Sequence, residues 1–100
     1  MADDASLERF LAAAAPLRTG EGFDPVRAFR LLSAAKFDGE SALSLRVEEA
    51  LGVGVVAVAT PSARNAAVAR YALERVAIAV EELLQAAVPV EGPPLRRGLR

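Results

Sequence analysis

The sequence predicts an α+β fold with two N-terminal helices, a short antiparallel β-hairpin, and a long C-terminal helix packed on the sheet. Residues 42–49 alternate apolar and polar side chains, and residues 53–59 are a valine-rich run that is apolar on both faces. Both patterns are typical of strands. Residues 61–87 repeat apolar side chains at helical spacing. The competing architecture is an all-α bundle, in which residues 40–51 form a helix and the valine run extends a neighbouring helix.

The first helix is predicted over residues 3–15. Asp3, Asp4 and Ser6 supply capping oxygens and negative charge at its N-terminus. Pro16 ends the pattern, because proline cannot donate a helical hydrogen bond. The apolar side chains of this segment share one face: Leu7, Phe10, Leu11 and Ala14.

The second helix is predicted to begin at Asp24 and Pro25. An aspartate that caps a helix, followed by proline in the first turn, is a specific start signal. The residues 37–40, Phe-Asp-Gly-Glu, then predict a turn.

The segment before Gly52 admits two interpretations. Leu43, Leu45 and Val47 alternate with polar residues, which predicts a half-exposed strand. Leu43, Val47 and Leu51 also recur every four residues, and Gly52 suits a helix C-terminus. We favour the strand, because a helix would place Leu45 on the wrong face.

The valine run is interpreted as the second strand of the hairpin, joined to the first through residues 49–52. A connection of this length is common between antiparallel strands. Gly52, Gly54 and the β-branched residues that follow argue against a helix here.

The C-terminal helix is predicted to begin at Thr60 and Pro61 and to end near Ala87, before Pro89. One broad apolar face is expected to pack on the sheet, formed by Val68, Ala69, Ala72, Leu73, Val76, Val80, Leu83 and Leu84.

Residues 1–88 are therefore predicted to form a single small domain, and residues 89–100 a flexible tail rich in proline, glycine and arginine. Its basic end could dock on an acidic patch or on lipid headgroups through Leu95, Arg96 and Arg97.

A two-stranded sheet is marginal alone, and the valine-rich strand would leave an apolar edge. Two copies that join their hairpins would remove both problems, so we predict a homodimer. The candidate interface residues are Val53, Val55, Ala67, Tyr71 and Ile78.

The composition excludes several kinds of chemistry. The chain has no cysteine and no histidine, so thiolate nucleophiles and imidazole acid–base groups are absent. We predict no catalytic residue, no metal and no cofactor, because the serines lack a base to activate them. Glu74 and Glu81 could share a helix face, where we interpret them as solvated carboxylates.

The net charge is −1, so no nucleic-acid partner is expected. The longest apolar stretch is too short for a membrane span. The acidic N-terminus does not resemble a signal peptide, and a cytoplasmic location is expected.

Residues 41–87 resemble the closing strand and last helix of roadblock-type domains, including their bacterial MglB-like members. The resemblance lies in an apolar strand, a short turn, and the helical residues 67–77 (Ala-Val-Ala-Arg-Tyr-Ala-Leu-Glu-Arg-Val-Ala), with Glu82 and Leu83 after them. Such domains usually have five strands, of which two are placed here. The resemblance implies a non-catalytic homodimer that binds or regulates a small Ras-like GTPase.

The predicted function is thus a dimeric protein-interaction, scaffold or regulatory module without enzymatic activity. One alternative is a DNA-associated regulator that contacts phosphate through an arginine-bearing helix or the tail. Another is a small ligand-binding or enzyme domain whose pocket forms at the dimer interface.

Overall fold

All the regular structure that the computed structural model describes, over residues 3–87, is helical. Four α-helices follow one another: α1 (Asp4–Ala14), α2 (Pro25–Ala34), α3 (Ser41–Ala59) and α4 (Ala63–Ala87). The predicted α+β fold with its hairpin is therefore wrong, and the described chain is an all-helical bundle.

Helix α1 begins where its capping residues predict. The Asp3 carboxylate accepts a hydrogen bond of 2.8 Å from the backbone N–H of Ser6. Ser6 lowers the pKa of Asp3, first through its side-chain hydroxyl and then through this backbone N–H. After Ala14 the chain continues into a short 3₁₀ helix, Ala15–Leu17. Leu7, Phe10 and Ala14 are buried in α1, and Leu17 of the 3₁₀ helix is buried beside them.

Helix α2 also begins at its predicted signal. Asp24 accepts hydrogen bonds from the backbone N–H groups of Val26, at 2.9 Å, and Arg27, at 3.4 Å, and Pro25 is the first helical residue. The predicted turn follows at Phe37 to Glu40, where Gly39 has a φ of 82°. A left-handed φ favours glycine, which has no Cβ to clash.

The two predicted strands are a single helix, α3. The buried residues recur at helical spacing across both segments: Leu43, Val47, Ala50, Gly54 and Ala57. Helix α2 packs closely at Gly54, where a Cβ would lie 3.3 Å from the Cδ1 atom of Phe29. The glycine that argued against a helix therefore allows close packing between two helices.

The connection from α3 to α4 is only three residues long, and its cap lies later than predicted. Thr60 still belongs to the end of α3, because its N–H donates to the Val56 carbonyl at 2.8 Å. The hydroxyl of Ser62 accepts from the N–H of Asn65 at 3.0 Å, and the Asn65 side chain donates to the Thr60 carbonyl at 2.7 Å. The start signal of α4 is thus Ser62, and not the predicted Thr60.

Helix α4 runs through the centre of the bundle and contacts the other three helices. Its Leu73, Val76 and Val80 are fully buried. Phe10 of α1 and Phe37, from the turn before α3, meet edge to face, with ring centroids 5.5 Å apart. The core takes side chains from every helix: Leu7, Phe10, Ala14, Leu17, Ala28, Leu32, Phe37, Leu43, Val47, Ala50, Leu73, Val76 and Val80. The tail docking candidates Leu95, Arg96 and Arg97 lie outside the described residues.

Candidate interaction surface

The side of α4 that faces away from the core carries two large apolar side chains. Tyr71 is 65% exposed and Ile78 is 42% exposed. They are seven residues apart, or about two helical turns, so they lie on one side of the helix. Ala67 lies one turn before Tyr71 and is also exposed. We call this side, with Arg64, Ala67, Tyr71, Ile78 and Glu82, the outer face of α4.

A shallow groove runs beside the outer face, between α3 and α4. One part is a depression of about 170 Å³, lined by Arg46, Glu49, Val53, Val68, Tyr71, Ala72 and Arg75. A second depression of about 260 Å³ is lined by Arg46, Arg75, Ile78, Ala79 and Glu82. Because both parts share Arg46 and Arg75, the groove follows the helix junction past Tyr71 and Ile78.

Four of the five predicted interface residues lie on this surface. Val53 lines the same depression as Tyr71, while Ala67 and Ile78 lie on the outer face. Val55 does not join them, although it is 51% exposed. It is two residues from Val53, which places it about 200° further around α3. In a strand, by contrast, Val53 and Val55 would lie on one side.

Sequence reasoning missed other residues of this surface. Arg46 and Arg75 lie in both parts of the groove, and neither was a candidate. Val68 was expected in the core but is 45% exposed. A helical assignment of α3 would have indicated Arg46, because Arg46, Glu49 and Val53 recur at helical spacing.

A cluster of ion pairs lies along the other side of the outer face. Arg18, just after the 3₁₀ helix, contacts Glu74 and Glu81 of α4. Its Nε donates to Oε1 of Glu74 at 2.8 Å, and its Nη2 donates to Oε2 of Glu74 at 2.7 Å. Its Nη1 donates to Oε2 of Glu81 at 2.9 Å. The two glutamates are therefore paired to one arginine and not simply solvated.

This pairing has the expected electrostatic effect. The hydrogen bonds from Arg18 lower the pKa of Glu74, and the positive charges of Arg18 and Arg70 act in the same direction. The hydrogen bonds that Arg18 donates, to Glu74 first and then to Glu81, raise the pKa of Arg18. The flank of the outer face next to α1 is thus held in one geometry with its negative charge partly balanced.

A polar concavity lies elsewhere, where α2 connects to α3. This open depression of about 810 Å³ contains Lys36, three carboxylates and two serines, namely Asp38, Glu40, Glu48, Ser41 and Ser44. Within residues 3–87 no polar or charged side chain is buried, and Glu40 and Ser44 are the two of these polar groups that are half-buried. The concavity also lies apart from the groove beside α4.

Among the described residues 3–87, no group of three or more acidic side chains is placed to hold a metal ion. No helix there is both long and apolar enough to cross a membrane. Comparison of the chain with models of known protein families, with curated proteins and with solved structures found no match.

Proposed function

We propose that the protein is a non-catalytic interaction module that works as a homodimer through the outer face of α4 and the adjoining groove. The observation that carries this proposal is the exposure of Tyr71, at 65%, beside an apolar groove. Tyrosine is enriched at protein interfaces, because its rigid ring buries a large area at a small cost in side-chain entropy.

The neighbours of Tyr71 strengthen the proposal. A single exposed apolar side chain is normal on a protein surface. Here Val53 and Val68 share one depression with Tyr71, and Ile78 lies in the next. An apolar strip with arginines at its border has the composition of an interaction surface.

The experiment is sedimentation of the full chain at tens of micromolar, for the wild type and for Tyr71→Glu and Ile78→Glu. We expect a wild-type dimer, and a dissociation constant raised about tenfold or more in each variant, because a buried carboxylate without a partner costs at least about 1.4 kcal/mol. Circular dichroism should report unchanged helix content, since both positions are exposed.

Leu45→Glu is the matched control. Leu45 is 58% exposed and lines neither depression of the groove, so the same added charge should leave the dimer intact. A wild-type monomer would refute the proposal. Equal weakening by Leu45→Glu would show that the outer face of α4 has no special role.

A small Ras-like GTPase as partner stays a prediction, as do the cytoplasmic location and the lack of enzymatic activity. The partner is implied only by the resemblance of residues 41–87 to roadblock-type domains, and the strand in that resemblance lies in helix α3. A purified GTPase of this class, loaded with GDP or with a GTP analogue, can be tested for binding to the wild type and to Tyr71→Glu. Binding of either form, lost in the variant, would support this partner.

A further inference from the structure

The charges of α4 are divided between its two halves. Residues 63–75 carry three arginines and one glutamate, whereas residues 76–87 carry two glutamates and no basic residue. Glu74 of the first half and Glu81 of the second half are both paired to Arg18, which leaves Glu82 as the unshared glutamate of the outer face. The outer face therefore begins basic at Arg64 and ends acidic at Glu82, with its apolar side chains between them.

We propose that a second copy packs antiparallel on the outer face of α4, so that Tyr71 of each copy contacts Ile78 of the other. The proposal rests on the homodimer proposed above and names its arrangement. Charge complementarity selects the antiparallel orientation. It sets the basic half of each α4 against the acidic half of the other, whereas a parallel pair would set like charges against each other.

The spacing of the outer face fixes the register. If Tyr71 lies opposite Ile78 of the second copy, the two-fold axis passes between Glu74 and Arg75. Ala67 then lies opposite Glu82 of the second copy, and its small side chain leaves room beside the tyrosine ring. Each contact occurs twice, as a two-fold interface requires.

The ion pair of Arg18 fits this arrangement. Near the axis the two Glu74 carboxylates would approach each other, and like charges at an interface oppose association. Each carboxylate already accepts two hydrogen bonds from its own Arg18, so its charge is partly balanced before the copies meet.

The test uses disulfide trapping. Because the chain has no cysteine, only the introduced cysteines can form a disulfide. Ala67→Cys and Glu82→Cys are made as separate variants with tags of different size, and both positions are exposed. In the antiparallel register an oxidised mixture forms the mixed disulfide, and neither variant crosslinks alone. Two copies of one cysteine would lie about 22 Å apart, far beyond the ~7 Å limit between the Cα atoms of a disulfide.

A parallel dimer gives the opposite pattern, in which each variant crosslinks with itself. That pattern would overturn the antiparallel register while the homodimer stands. So would the absence of any crosslink when sedimentation shows that the protein is dimeric. A wild-type monomer would instead overturn the homodimer itself, so the two failures are distinguishable.

Charge reversal provides a second, independent readout. In the antiparallel pair Arg64 lies within about one turn of Glu82 of the second copy. We expect Arg64→Glu and Glu82→Arg each to weaken the dimer about threefold to tenfold, and the double variant to recover within about twofold of the wild type. Each reversal also suits the helix dipole, so weaker association would not reflect an unstable helix. Failure of the double variant to recover would count against the proposed register.

Discussion

Arg18 and Glu74 form an ion pair with two hydrogen bonds that joins the end of the 3₁₀ helix to the last helix of the bundle, α4. The Nε and Nη2 atoms of Arg18 reach the two carboxylate oxygens of Glu74 at 2.8 and 2.7 Å. Their side chains are 23% and 33% exposed. Arginine alone among the basic side chains offers this planar fork to a carboxylate.

Arg18→Ala should lower the free energy of unfolding by about 1 kcal/mol. A partly exposed pair is worth little more than that, since solvent screens it. Urea unfolding at low protein concentration, where dimerisation does not contribute, measures the change. Arg18→Lys should lose part of the same stability, because a lysine cannot form both bonds to Glu74. Arg27→Ala, at an exposed position of α2, is the control and should change stability by less than about 0.5 kcal/mol.

The pair also predicts a pH dependence. The pKa of Glu74 lies below its ordinary value of 4.5 in the folded chain. As the pH falls, Glu74 is therefore protonated in the unfolded chain before it is protonated in the folded chain. The ion pair thus stabilises the fold above pH 4.5 and loses its effect as the pH falls below that value. We expect Glu74→Gln to be less stable than the wild type at pH 7, by no more than about 1 kcal/mol. The difference should shrink as the pH falls below 4.5, and a constant difference would contradict this account.

Two glycines of α3 should respond differently to alanine. A Cβ at Gly52 would meet no atom within 4 Å, whereas one at Gly54 would lie 3.3 Å from Cδ1 of Phe29. Because alanine favours a helix by about 0.5–1 kcal/mol over glycine, Gly52→Ala should raise the free energy of unfolding by that amount.

At Gly54 the same gain is opposed by crowding against Phe29, so Gly54→Ala should stabilise less than Gly52→Ala or should destabilise. Thermal unfolding of both variants compares them directly. An equal gain at both positions would mean that α2 does not pack against Gly54 this closely.

Leu73 should be the most sensitive leucine of α4. Its side chain is 0% exposed at the centre of the core, and removal of a buried leucine side chain costs about 2–5 kcal/mol. Leu73→Ala should therefore unfold at much lower urea concentration than the wild type. Leu45→Ala is the matched control. Leu45 is 58% exposed, so Leu45→Ala should change the free energy of unfolding only slightly. A loss of more than about 1 kcal/mol would mean that Leu45 is packed against other side chains.

The beginnings of the first two helices were predictable because their signals are local. Asp3 and Asp24 accept backbone hydrogen bonds from residues two or three positions later. Such contacts need no distant partner, so the sequence alone specifies them. At α4 the same reasoning selected Thr60 in place of Ser62, two residues away, because both are capping residue types.

Helix α3 was not predictable in the same way, because distant contacts decide between its two interpretations. Leu43 and Val47 fit the inner face of a helix or one face of a strand equally well. Leu45 favoured the strand, and the helix indeed leaves it 58% exposed. The close packing of Phe29 on Gly54 adds to the helix a contact that the local pattern does not reveal.

The residues of the candidate surface were likewise predictable only where the local structure was predicted correctly. Tyr71 and Ile78 were identified because α4 was correctly predicted to be helical and both residues interrupt its polar side. Arg46 was missed because its segment was assigned as a strand. Arg18 was missed because its partner Glu74 is 56 positions away in the sequence, and nothing near Arg18 indicates that partner.

The three-residue connection between α3 and α4 has a consequence for how quickly the chain can fold. Helices joined by so short a link meet at little cost in loop closure, and contacts between residues close in sequence form early and fast. Helix α1 and the Arg18 that follows its 3₁₀ extension must instead contact α4 from the far end of the sequence. The α3–α4 pair is therefore expected to assemble first, and Arg18 to close on α4 late, as the step that completes the bundle.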